Sequence, residues 1–110
     1  MPGKSQGQTY GDLKTKTYEY NGRLNVDYSF CPERNETKFM HAFPDGFGII
    51  KYKEGHTIRT HIGNIVEIKG IFYKDKPNGS CKCIMDDGKN VYCVWNENTL
   101  VSYEYEVNNQ

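Results

Sequence analysis

Three features predict an all-β, antiparallel fold. Short runs of side chains alternate between apolar and polar with a period of two. Asn-Gly, Asp-Gly and related turn signals recur between those runs. The composition is rich in the residues of sheets and tight turns, with nine Tyr, five Phe, one Trp and 11 Gly among 110 residues. A chain of this length reads as one domain with a modest core.

Taken in order, residues 1–12 are dominated by Gly, Gln, Ser and Lys and are expected to form a flexible arm. Residues 13–110 are expected to form a single β-meander domain. In "RLNVDYSF", Leu24, Val26, Tyr28 and Phe30 share one face, and Arg23, Asn25, Asp27 and Ser29 share the other. "TKFMHAF" and "HTIRTHI" alternate similarly. "IVEIKGIFY" is longer, with Gly70 inside it, where a bulge or close packing is expected. "VSYEYEV" places Val101, Tyr103, Tyr105 and Val107 opposite Ser102, Glu104 and Glu106.

Turn signals separate these runs: "NG" at 21–22, "CPERNE" at 31–36, "PDG" at 44–46, "EG" at 54–55, "GN" at 63–64, "KPNG" at 76–79, "DDG" at 86–88 and "NEN" at 96–98. Asn78-Gly79 and Asp87-Gly88 are expected to fix the turns of one hairpin unit. No stretch carries a capped helical stripe. With no crossover helix, about nine short strands must form an antiparallel meander. The alternation fits either an open sheet with one wet face or a closed barrel.

Lys plus Arg equals Asp plus Glu at 14 each, so a strong electrostatic grip on nucleic acid is not indicated. Residues 51–76 carry six basic and three acidic side chains, whereas 96–110 carry Glu97, Glu104 and Glu106 and no basic residue. The opening "MPGKSQGQTYGDLKTK" lacks an apolar run, and no segment approaches the roughly 20 apolar residues that span a bilayer. A cytoplasmic location is the expectation. The sequons at Asn35 and Asn78 and the even cysteine count would suit a secreted chain, but such sequons are short.

Shifting the chain by 33 residues sets Gly46 on Gly79, Gly55 on Gly88, Gly48 on Cys81, Tyr52 on Met85, Ile58 on Val91 and Ile62 on Trp95. Between the copies, Ile68, Gly70 and Phe72 repeat an apolar, small, aromatic spacing. Over residues 68–95 this pattern resembles a MORN repeat. Ile68 takes the Tyr position, Gly70 the Gly and Phe72 the aromatic. Gly79 matches, Asp87-Gly88 is the turn, and Val91, Cys93 and Trp95 open another copy. Asp75 and Cys81 replace signature glycines. The resemblance implies a scaffold of hairpins that binds other proteins, or sometimes acidic lipids, without catalysis. The segment from Val66 to Trp95 is also similar to the opening strands of a small OB-fold. That resemblance implies single-stranded nucleic-acid binding, with Lys51, Lys53, Lys69, Lys74 and Lys76 beside Tyr52, Phe72 and Tyr92.

Catalytic and metal signals are weak. Cys81 and Cys83 share one strand face, with Cys93 a hairpin away and Cys31 remote. Paired thiols can bind zinc, but only one C-x-C is present, and small buried cysteines are the expected role. His56 and His61 face opposite sides of a regular strand. Asp86 and Asp87 read as turn residues beside Gly88, and "GFG" lacks the helix of a nucleotide fingerprint. No metal, cofactor or catalytic residue is expected. The aromatics are too many to bury among so few aliphatics. Tyr52, Phe72, Tyr73, Tyr92, Trp95, Tyr103 and Tyr105 are therefore expected to dock a protein partner. Open sheet edges would also permit self-association. The expected function is a non-catalytic adaptor or structural component of a larger assembly.

Overall fold

The computed structural model describes residues 3–107. Eight strands form one antiparallel sheet: β1 (Gly3–Lys14), β2 (Tyr18–Cys31), β3 (Glu36–Tyr52), β4 (Ile58–Thr60), β5 (Gly63–Tyr73), β6 (Lys76–Met85), β7 (Asn90–Asn96) and β8 (Thr99–Tyr105). The strand order is β1-β2-β3-β5-β6-β7-β8. Ile65 pairs with Met85 of β6 on one side and with Ile58 on the other, so β4 continues the lane that β3 leaves at Tyr52. β1 and β8 are the outermost strands, and the sheet does not close into a barrel. Among the described residues, no helix is long and apolar enough to cross a membrane.

Several expected turns lie inside strands. Asn21-Gly22 sits within β2 and Pro44-Asp45-Gly46 within β3, which runs unbroken for 17 residues. The β5–β6 turn is Lys74-Asp75, with φ of 48° and 65°, one step before "PNG". Tyr73 pairs with Lys76 around it, so the two-residue loop takes the type that matches strand twist. Gly79, at φ 81°, instead sits in β6 near a register shift. Glu97-Asn98 forms the matching β7–β8 turn, with φ of 49° and 64°. Asp87-Gly88 turns as expected: Asp87 Oδ1 accepts from the Lys89 N–H at 3.0 Å, and Gly88 has φ 86°. Of the expected arm, residues 1 and 2 lie outside the described residues. From Gly3 to Lys14 the chain pairs with β2, which satisfies the backbone groups on that side of the strand and orders it.

A single sheet buries a core here by laying long side chains across small ones. One cross-strand row reads Gly11, Gly22, Gly48, Gly70, Cys81, Cys93 and Tyr103. The next row on the same face reads Leu13, Tyr20, Ile50, Ile68, Cys83, Val91 and Tyr105. Tyr20 on β2 crosses Gly48 on β3, where an added Cβ would meet the ring, at 2.5 Å from Cε2. Its ring reaches Phe72 on β5 edge-to-face, with centroids 5.4 Å apart at 88°. Two lanes of sheet separate those strands by roughly 10 Å, a gap an aromatic can cross only where the middle lane has no side chain. The Tyr20 hydroxyl donates to the Arg23 carbonyl at 2.7 Å. At Gly70 the constraint differs. A Cβ there would lie 2.5 Å from Cys81 Cβ, so β5 and β6 approach too closely for any side chain. Tyr20, Leu24, Val26, Ile50, Ile65, Ile68, Phe72, Met85, Val91, Trp95 and three cysteines make up the core.

The molecule is elongated, 64 × 25 × 25 Å. β5 pairs with β3 only from Gly46 to Lys51. The rest of β3, with β2 and β1, projects as a three-stranded ribbon bearing Phe39 and Met40 in solvent.

Candidate interaction surface

The seven aromatics expected to meet a partner divide three ways. Phe72 and Trp95 are core residues, 1% and 5% exposed, and cannot touch a partner without unfolding the sheet. This corrects their assignment as contact residues. The cause is the small-residue row, which lets large rings lie flat. Tyr52 is half-buried against the core and edge-to-face with Tyr18 at 6.4 Å. Burial, then the neighbouring Tyr18, pushes the Tyr52 hydroxyl pKa well above its ordinary value. Tyr73, Tyr92, Tyr103 and Tyr105 are exposed.

Those four do not form one strip. Tyr103 and Tyr105 extend the core rows onto edge strand β8. Tyr103 packs edge-on against His61 at 5.7 Å and Tyr105 at 5.8 Å. Lys89 Nζ stands 5.8 Å over the Tyr105 ring. Tyr73 and Tyr92 point the other way, to the outer face. There they join Phe47, Ile71 and Val94, which are also exposed. Sequence reasoning passed over those three. The sign was apolar residues at both parities in "GFGII", "GIFY" and "VYCVW".

One outer row runs Ile49, Lys69, Lys82, Tyr92 and Glu104 across β3, β5, β6, β7 and β8. Lys69 and Lys82 are direct cross-strand partners. In the neighbouring row, Lys51 pairs with Glu67 at 3.7 Å. A groove of about 630 Å³ beside Lys82 and Tyr92 is lined by Ser80, Val94, Ser102 and Glu104 as well. The lysines and aromatics of the nucleic-acid reading are divided: Lys53 and Lys74 lie in connections, Lys51 is ion-paired, and Phe72 is inside.

Cys81, Cys83 and Cys93 are buried and reduced, with Cys81 and Cys83 Sγ 3.6 Å apart. Cys81 stands opposite Gly70, a place with room only for a small side chain. Hydrogen bonding to Cys81 and Cys93, then burial, drives the Cys83 thiol pKa upward. Among the described residues, no group of three or more His, Cys, Asp or Glu is arranged to hold a metal ion. His41 contacts Asp27 Oδ2 at 2.9 Å and stacks on Phe43. Cys31 lies opposite Glu36, four residues along β2 from Asp27, which puts it roughly 13 Å from the His41 pair. The two are not brought together as a nucleophile and base. Asp86 Oδ2 accepts from Asn64 Nδ2 at 3.2 Å, tying the β6–β7 turn to the start of β5.

The arrangement defines an open antiparallel sheet with exposed apolar side chains on both faces. No family model, curated protein or solved structure matches the chain.

Proposed function

We propose that this chain is a non-catalytic protein-interaction module, a scaffold or adaptor within a larger assembly in the cytoplasm. One observation carries the reading: a thin open sheet spends its small residues on burying one set of rings and still exposes others. Tyr73 at 57%, Ile71 at 53%, Phe47 at 55% and Tyr92 at 48% lie on one face, contributed by β3, β5 and β7. Clustered exposed apolar groups of this kind mark interaction sites in soluble proteins. Free strand edges, those of β1 and β8 among them, add backbone donors and acceptors for an added strand. The likeness to MORN hairpins in the spacing of Ile68, Gly70, Phe72 and Gly79 agrees with a scaffold.

The test is capture from native extract with and without nuclease, read by mass spectrometry. A stoichiometric protein that survives nuclease supports the reading. Partners that disappear with nuclease transfer the function to nucleic-acid binding.

A further inference from the structure

The outer face contains a charge arrangement that does nothing for the fold. Lys69 on β5 and Lys82 on β6 are directly opposite each other. Like charges so placed repel and destabilise a sheet. Neither lysine is in a salt bridge among the described residues. The nearest acid along the strand, Glu67, is held by Lys51 at 3.7 Å. Along the row, Tyr92 separates Lys82 from Glu104. A local rule broken without compensation inside the chain points to a site used by something outside it.

The surroundings define what that something is. Ile49 flanks the lysine pair on one side and Tyr92 on the other. Ile71 and Val94 lie one position along the same face, both exposed. The site therefore offers two adjacent cations in an apolar and aromatic frame, continuous with the groove beside Lys82 and Tyr92. A ligand that matches must bring negative charge and apolar groups at strand-like spacing. We propose that Lys69 and Lys82, framed by Ile71 and Tyr92, form a docking site for an acidic, aromatic-bearing extended polypeptide segment. This rests on the protein-interaction reading above and adds the chemistry of the partner. Carboxylates of the segment would bridge the two ammonium groups, and its apolar residues would cover Ile71 and Tyr92. Charge complementarity of this kind sets specificity and register.

The fold makes an unusual test available, because the binding change and the stability change have opposite signs. The probes are a synthetic peptide alternating Glu with Phe and Val, the same peptide with Lys for Glu, phosphatidylserine vesicles, and an oligo-dT strand. Binding of the full chain is followed by fluorescence titration at low and moderate salt. The Glu peptide is expected to bind the native chain and to lose at least tenfold in affinity to K69E/K82E. That double variant is expected to prefer the Lys peptide, a reversal that a purely structural role would not produce. The single variant K82E, which sets Glu against Lys69, is expected to melt no lower than the native chain while losing affinity for the Glu peptide. Equal affinity for both peptides, no binding of the Glu peptide, or a response only to vesicles or oligo-dT overturns the proposal. Capture of a nuclease-resistant stoichiometric protein that K69E/K82E retains would overturn this site and leave the scaffold reading intact.

Discussion

Gly48 is the position where the packing argument is most exposed to test. Gly48→Ala places a methyl where the Tyr20 ring lies, 2.5 Å from Cε2. Gly48 needs no positive φ, so backbone strain does not enter. The ring must leave or the strands must part. Complete expulsion would return most of an aromatic side chain to water, about 150–250 Å², worth roughly 4–6 kcal/mol at 25 cal/mol per Å². It would also break the edge-to-face pair with Phe72 and the hydrogen bond to Arg23, about 1 kcal/mol each. Partial relaxation, the usual response to overpacking, costs about 1–3 kcal/mol. The expected loss is therefore about 3 kcal/mol, read by urea unfolding followed by fluorescence of the single buried Trp95. For a domain of this size that corresponds to a melting temperature lower by roughly 12 °C or more. The decisive measurement is the double-mutant cycle. In a Tyr20→Ala background, Gly48→Ala should cost under about 0.5 kcal/mol, giving a coupling of about 2–3 kcal/mol. A single-variant loss below about 1 kcal/mol, or additive variants, would refute the account of the small-residue row.

Three further outcomes follow from the same packing. The Tyr20 hydroxyl pKa is pushed up to about 12 by burial first and then by Asp45, from an ordinary value near 10. A raised folded value favours the neutral form, so its stability contribution is full below pH 10 and is lost as pH climbs from about 10 towards 12. Alkaline unfolding should fall in that window, and Tyr20→Phe should flatten its slope. Thiol labelling of the native chain should modify the half-exposed Cys31 quickly and leave Cys81, Cys83 and Cys93 protected until unfolding; Cys83→Ser should cost about 1–3 kcal/mol by burying a hydroxyl. At the β5–β6 turn, Lys74→Asn with Asp75→Gly should stabilise the chain by about 1 kcal/mol, because both positions hold positive φ. Chemical denaturation checks the last two.

The period-two alternation of residues 23–30 and the turn chemistry at residues 87–88 and 97–98 follow from local geometry and were legible in the sequence. So was close packing at Gly70. In residues 101–107 a register shift at Val101 breaks the expected alternation, and Glu106 and Val107 lie beyond β8. An antiparallel meander was the only connection such short links allow. Local signals gave out where one residue type serves two purposes. Glycine beside Asn or Asp can turn a chain or thin a strand. At Gly22 and Gly46 it thins the strand, and the choice depends on Tyr20 and Arg23 from elsewhere in β2. The arm over residues 1–12 looked loose because its side chains are small and polar, yet backbone pairing along β2 needs no large side chain. Aromatic count said that some rings must be exposed. It could not say which, since in "GIFYKD" both parities are apolar. Phe72 went inside and Tyr73 outside because only the Phe72 side faces the open lane above Gly48. The chain by itself determined strands, alternation and an antiparallel order. The tertiary structure decided which face became core, because burial depends on which small residues line up across six neighbouring strands, a register that no single strand contains.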